Sequence, residues 1–130
     1  MKWLKRLIAV GVIAYIAIGA LLYSQQSRFI YPAPDMISPP SERFEEAALT
    51  TDDGLTLRSF YREAAEGKPT AVYFHGNGGT LYGSVMATQQ IAQEGYGLLL
   101  VEYRGYGGNA GEPSEQGFYK DGRAALAFLA

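Results

Sequence analysis

The 130 residues carry 11 basic and 13 acidic side chains, a formal charge of -2, and are 48% hydrophobic and 18% charged. Charges this evenly mixed leave no basic stripe to attract a phosphate backbone, so nucleic acid is not expected as a partner. With no cysteine there is neither a disulfide framework nor a thiolate metal site, and the residues outside the apolar start suffice for one core but fall short of the roughly 200 to 250 usual for a complete α/β enzyme.

Leu7 to Tyr23 holds no charged residue, and as a helix it would span about 26 Å, close to the thickness of a hydrocarbon core. Lys2, Lys5 and Arg6 precede it and Arg28 is the first positive charge after it, so the positive-inside bias predicts a cytoplasmic N-terminus with the globular part on the other side. Trp3 and Tyr23 stand near the two ends, where amphipathic rings favour the headgroups. A cleaved signal peptide is the competing reading. Its nearest small-x-small site, Ala17-Ile18-Gly19, lies inside the apolar run rather than after it, which favours an uncleaved anchor.

Ser24 to Ser41 is polar and contains Pro32, Pro34, Pro39 and Pro40, predicting an extended tether without regular structure. Two strands are predicted next, about Phe44 to Thr50 and Leu55 to Arg62, joined by Thr51-Asp52-Asp53-Gly54, whose Asp-Gly pair suits a tight antiparallel hairpin. Leu55 and Leu57 alternate with Thr56 and Arg58, as on a sheet with one wetter face. Beyond Glu66-Gly67-Lys68-Pro69 the runs Thr70 to Phe74 and Leu98 to Tyr103 are continuously apolar, predicting parallel strands covered on both faces. Between them Leu81 to Glu94 predicts a helix with Leu81, Val85 and Ala92 on one stripe, Met86 nearby and Gly95 to stop it, giving a right-handed strand-helix-strand unit. From Ser114, a favourable N-cap, a last helix is predicted with Phe118, Gly122, Ala125, Leu126 and Leu129 on one face.

The strongest chemical signal is Phe74-His75-Gly76-Asn77-Gly78-Gly79, between a buried strand and a helix. In acyl transfer the attacked carbonyl becomes an oxyanion and needs backbone N-H donors already aimed at it; glycines allow the main chain to approach that closely. A second motif, Glu102-Tyr103-Arg104-Gly105-Tyr106-Gly107-Gly108-Asn109-Ala110-Gly111-Glu112-Pro113-Ser114-Glu115-Gln116-Gly117, follows the next strand. In this order, separated by one helix, the two motifs resemble the α/β-hydrolase superfamily, and within it the membrane-anchored serine-aminopeptidase-like and depalmitoylase-like hydrolases. The resemblance runs from about Phe29 to Ala130.

That resemblance implies that the residue after His-Gly, Asn77, donates an oxyanion-hole N-H, with Gly78 as the alternative. The second donor would be the residue following the nucleophile, which is not among these residues. The triad histidine comes last in the family's chain order, so His75, the only histidine, is expected to shape the loop through a structural hydrogen bond rather than to act as the base. A lone histidine also falls short of a zinc ligand set. No serine stands in Gly-x-Ser-x-Gly: Ser59, Ser84 and Ser114 all lack the flanking glycines. Arg104 and Asp121 resemble recurrent family positions and are expected to anchor loop and helix. Asn109 replaces a serine frequent in the family, a change from one short polar turn residue to another. Gly105-Tyr106-Gly107-Gly108-Asn109-Ala110 also matches a dinucleotide-binding fingerprint formally, but Gly111-Glu112-Pro113 separates it from the helix that it should open.

The expectation is an α/β fold, the N-terminal part of an α/β-hydrolase sheet in which an antiparallel hairpin leads into parallel strands with flanking helices, preceded by one transmembrane helix. Residues 1–28 would form the basic start and anchor, 29–43 the tether and 44–130 the partial hydrolase domain. The resemblance implies a parent serine hydrolase of esters, thioesters or amides, acting on an acylated small molecule, lipid or peptide without a cofactor, with these residues supplying the oxyanion-hole loop but not the nucleophile, acid or histidine. The alternatives are a truncated or degenerate, non-catalytic membrane-tethered module needing a partner chain, and a split enzyme.

Overall fold

The computed structural model describes residues 1–41 and 43–130, which form two compact units, 1–30 and 31–130. The first is one helix, α1 (Lys2–Ile30), with no buried residue; it is long and apolar enough to cross a membrane. It continues past Tyr23 to Ile30, over residues that the sequence assigned to an extended tether. Gln25, Gln26 and Arg28 are good helix formers and no glycine or proline interrupts them. The helix stops where Pro32 disfavours the α conformation of Tyr31.

The second unit is a four-stranded sheet with helices on both faces. Strands β1 (Glu45–Thr50) and β2 (Thr56–Arg62) pair antiparallel with Leu49 opposite Leu57, and the turn between them places Gly54 at φ 85°, the conformation that the Asp-Gly pair predicted. Strand β3 (Thr70–Phe74) runs parallel to β4 (Gly97–Val101), and the order across the sheet is β1-β2-β4-β3. The central β4 is wholly buried. Its alternate residues build two cores: Leu99 and Val101 join Ala47, Leu49 and Leu57 under helix α4 (Glu115–Leu129), while Leu98 and Leu100 join Phe44, Phe60, Leu81 and Ala92 on the opposite side. At about 1.5–3 kcal/mol for each fully buried aliphatic side chain, β4 is the main hydrophobic contributor to the sheet.

Three expectations are corrected. Strand β3 is not covered on both faces: it is the outermost strand, Ala71 is exposed and Phe74 is 42% exposed. Helices α2 (Leu81–Ala87) and α4 pack over β4 and β1 rather than over β3. The helix over 81–94 is broken into α2 (Leu81–Ala87) and α3 (Gln89–Gln93) at Thr88, whose buried hydroxyl donates to the Ser84 carbonyl at 2.8 Å, a back-bond of the kind that bends helices. Helix α4 turns a different face inward: Gly117, Asp121, Ala124 and Ala125 are buried, and Leu126 is 62% exposed. Asp121 is drawn inward by Arg104, whose stem packs so closely on Gly117 that a Cβ there would lie 2.5 Å from Arg104 Cδ. A buried ion pair thus sets a rotation that apolar spacing alone does not predict. The Ser114 cap forms as expected, accepting the Gly117 N-H at 3.1 Å.

Candidate functional site

Because β3 and β4 are parallel and adjacent, the loops that leave their C-terminal ends emerge at the same end of the sheet, where open α/β sheets place their ligands. The first loop, 75–80, folds as a tight turn in which Gly79 N-H donates to the Gly76 carbonyl at 3.0 Å. It leads into α2, where the Thr80 hydroxyl caps the Gly83 N-H at 3.1 Å. The second loop follows β4 from Glu102 to Ser114.

A buried charge pair joins the two loops. His75 Nε2 lies 2.6 Å from Glu102 Oε1, with the two side chains only 4% and 2% exposed. The other carboxylate oxygen accepts the Leu81 N-H at 3.2 Å, and the Glu102 N-H is held by the Ser59 hydroxyl at 3.1 Å. On the far side of the ring, His75 Nδ1 faces the Gly76 carbonyl at 2.9 Å. Both ring nitrogens therefore face oxygen acceptors, an arrangement satisfied in full only by the doubly protonated imidazolium. Burial pulls its pKa down, but the hydrogen bonds to Glu102 and Gly76 outweigh burial and raise it. A ring with both nitrogens donating has no lone pair with which to take a proton, so His75 braces the loop.

The glycines make room for this brace. A Cβ on Gly79 would lie 2.6 Å from His75 Nδ1, and one on Gly107 would lie 2.6 Å from Glu102 Oε2. Asn77, the candidate oxyanion donor, sits at the turn between Gly76 and the positive-φ Gly78, and its side-chain oxygen accepts the Tyr106 hydroxyl at 3.3 Å. Burial raises the Tyr106 pKa, opposed in part by a hydrogen bond from the Gly78 backbone. The Tyr106 ring also leans on His75 at 5.4 Å and on Tyr103 at 5.9 Å. Tyr103 in turn contacts Phe118 at 4.7 Å and reaches the His75 carbonyl at 3.4 Å.

Arg104 is the second anchor. Its Nε donates to Asp121 Oδ1 at 2.8 Å and its N-H to Asp121 Oδ2 at 3.0 Å, while Nη1 reaches Asp53 in the hairpin turn at 2.9 Å. One guanidinium thus ties the loop after β4 to α4, as expected of Arg104 and Asp121 from the sequence, and also to the β1–β2 turn. Asn109 does more than the sequence suggested. Its amide oxygen accepts the Arg58 N-H at 2.8 Å and its Nδ2 donates to the Arg58 carbonyl at 3.2 Å, so the side chain pairs with β2 like a strand residue. A serine hydroxyl, one bond shorter, carries its donor and acceptor on a single oxygen rather than on two atoms spaced to match the Arg58 N-H and carbonyl. Ser59, Ser84 and Ser114 are each engaged with backbone, by Glu102 N-H, the Thr80 carbonyl and Gly117 N-H respectively.

Sequence reading passed over Glu102 and Tyr106. The available signal was a carboxylate placed directly after a wholly apolar strand, where a charge is costly unless a partner waits for it. The charge runs of the hairpin turn carried no comparable hint of Asp53.

No family model matches the sequence. The chain is similar to the uncharacterized protein Rv2307c of Mycobacterium tuberculosis, 38% identical over 99% of this chain and 49% of that protein. It is also similar to protein bem46 of Schizosaccharomyces pombe, 32% identical over 90% of this chain and 43% of that protein, and to the uncharacterized membrane protein YNL320W of Saccharomyces cerevisiae, 27% identical over 99% and 49%. The chain therefore spans about half the length of the curated relatives it matches. Among solved structures, the esterase Pf2001 of Pyrococcus furiosus superposes with a TM-score of 0.63 at 17% identity, over 75% of this chain and 40% of the esterase. The fold is that of an α/β-hydrolase sheet.

Proposed function

We propose that this chain supplies the oxyanion-hole half of a membrane-anchored serine hydrolase that cleaves esters, thioesters or amides through an acyl-enzyme, similar to serine-aminopeptidase-like and depalmitoylase-like hydrolases. The single observation that carries the reading is the loop 75–80, held at the C-terminal end of β3 by the buried His75–Glu102 pair before any substrate arrives. Donors fixed in advance stabilise developing charge without reorganisation during the reaction. In this reading the Asn77 N-H meets the oxyanion. Gly78 is the alternative donor. The nucleophile, acid and general base come from outside these 130 residues, and the substrate is an acylated small molecule, lipid or peptide.

The fold shared with an esterase, the similarity to bem46, and a relative described as a membrane protein support this reading. In the intact protein, Asn77→Pro removes the donor and should lower kcat for p-nitrophenyl butyrate about 10²–10³-fold with little change in KM; an unchanged kcat sinks the assignment. We also place the N-terminus in the cytoplasm and the domain across the membrane, from the basic residues before α1. As these 130 residues hold no cysteine, Glu66→Cys on an exposed turn gives this chain one thiol. Labelling by a membrane-impermeant maleimide from the cytoplasmic side of inverted vesicles would contradict that orientation.

A further inference from the structure

Helix α1 ends at Ile30, and the residues that follow it are laid directly on the domain. Tyr31 packs edge-on against Phe118 at 5.2 Å, and Phe118 in turn holds Tyr103 at 4.7 Å. Pro32 lies over Gly78 of the first site loop, its carbonyl oxygen 3.8 Å and its ring carbon 3.9 Å from where a Cβ would stand. Further on, the Pro34 carbonyl accepts the Gly107 N-H of the second loop at 3.0 Å. The Ile37 side chain rests 3.1 Å from the corresponding point on Gly108, and Arg58 Nη2 donates to the carbonyl of buried Ser38 at 2.7 Å. Residues 31–38 thus form a strap that touches both site loops. Prolines suit it, since they hold an extended backbone with little further loss of freedom and leave carbonyls free to accept.

The loops under the strap are the hardest part of the domain to hold still. Gly78, Gly107 and Gly108 all stand at positive φ, and glycine loses more backbone freedom on ordering than any other residue. The strap makes an outside contact at each of these positions. Gly107 also flanks the Glu102 carboxylate, since a Cβ on it would lie 2.6 Å from Glu102 Oε2, and Glu102 in turn holds His75. We propose that residues 31–38 are a positioning segment of the oxyanion-hole site. By covering Gly78 directly and pinning Gly107 through the Pro34 carbonyl, they keep the His75–Glu102 brace and the Asn77 N-H in place. This rests on the hydrolase reading above and adds that the site depends on residues between anchor and domain. A domain severed from α1 before Tyr31 keeps its site, whereas one severed after the strap loses it.

Two measurements on the intact membrane-anchored protein test the proposal. A protease recognition sequence inserted after Ile30 leaves the strap on the released domain, whereas one inserted after Pro40 leaves it on the anchor. With p-nitrophenyl butyrate, kcat should survive the first cut and fall about tenfold or more after the second, with KM little changed. An equal kcat after both cuts overturns the proposal while leaving the hydrolase reading in place. An equal loss after both also overturns it, since release from the membrane then accounts for the effect. The second measurement needs no catalysis. Replacing residues 32–37 by alternating glycine and serine should speed hydrogen exchange at the Gly107 amide about tenfold or more and leave the β4 amides unchanged, a local opening rather than general unfolding. Wild-type exchange at Gly107, or equal acceleration in β4, overturns the strap. A wild type that hydrolyses no ester removes the hydrolase reading and the catalytic role of the strap together.

Discussion

His75 Nε2 and Glu102 Oε1 stand 2.6 Å apart across two loops separated by 27 residues in sequence, and both side chains are almost fully buried. Removing either partner leaves the other as an uncompensated buried group. Glu102→Ala is expected to destabilise the domain by about 3–5 kcal/mol in urea unfolding, and His75→Ala by a comparable amount. The double variant should cost less than the sum of the two, with a coupling of about 0.5–3 kcal/mol, because the second truncation removes a charge that the first had already stranded. Strict additivity would mean that the contact does not hold the loops.

The same pair makes stability depend on pH. Hydrogen bonds to Glu102 and Gly76, winning over burial, raise the His75 pKa above its ordinary 6.5. A raised folded-state pKa means that the folded protein binds the proton more tightly than the unfolded chain does. The contribution is therefore fully present below pH 6.5 and is lost as pH rises through the raised value. Urea midpoints between pH 6 and 9 should fall in the wild type and flatten in His75→Gln; equal slopes in both would count against the imidazolium.

Arg104 is placed where lysine cannot substitute. The guanidinium meets Asp121 and Asp53 with separate nitrogens in a fixed fork, and Asp121 is wholly buried. A single ammonium spans one of these carboxylates at a time. Arg104→Lys is expected to lower stability by about 2–4 kcal/mol, close to the cost of breaking a buried pair, and to increase hydrogen exchange in the 51–54 turn. Near-wild-type stability would show that the fork is dispensable.

Asn109→Ser should be costly despite the similarity of the two residues. It removes the reciprocal pair with the Arg58 backbone, at about 0.5–1.5 kcal/mol per hydrogen bond. The expected loss is about 1–2 kcal/mol, measured by thermal or urea unfolding. Asn109→Asp separates the two bonds, since it keeps the acceptor for Arg58 N-H and loses the donor to the Arg58 carbonyl. A serine variant as stable as wild type would mean that water replaces the amide without penalty.

Much of the framework was legible because it rests on local chemistry. The hairpin was legible in Asp53-Gly54, the start of α4 in Ser114, and the fourth strand in the run Leu98 to Tyr103, where the structure forms strand over Gly97–Val101. The misreadings have separate causes. The apolar face of α4 was read from the spacing of apolar residues, whereas a charged residue, Asp121, sets the buried face through Arg104. Thr88 lies within a helical pattern and breaks it through its own hydroxyl. The cover expected over both faces of β3 was read from its continuous apolar run, but the helices pack over β4 and β1 instead, a placement that residue spacing does not encode.

By itself the sequence determined the elements, their turns and caps, and the glycine loop bearing Asn77, since these follow from periodicity and backbone preference over a few residues. Only the tertiary structure decided what those elements hold. It brought Glu102 to His75, Asn109 to Arg58, Arg104 to Asp53 and Asp121, and residues 31–38 onto both site loops. Each of these contacts depends on which strands lie side by side and on side-chain geometry across the sheet, and that information appears only once the chain has closed on itself.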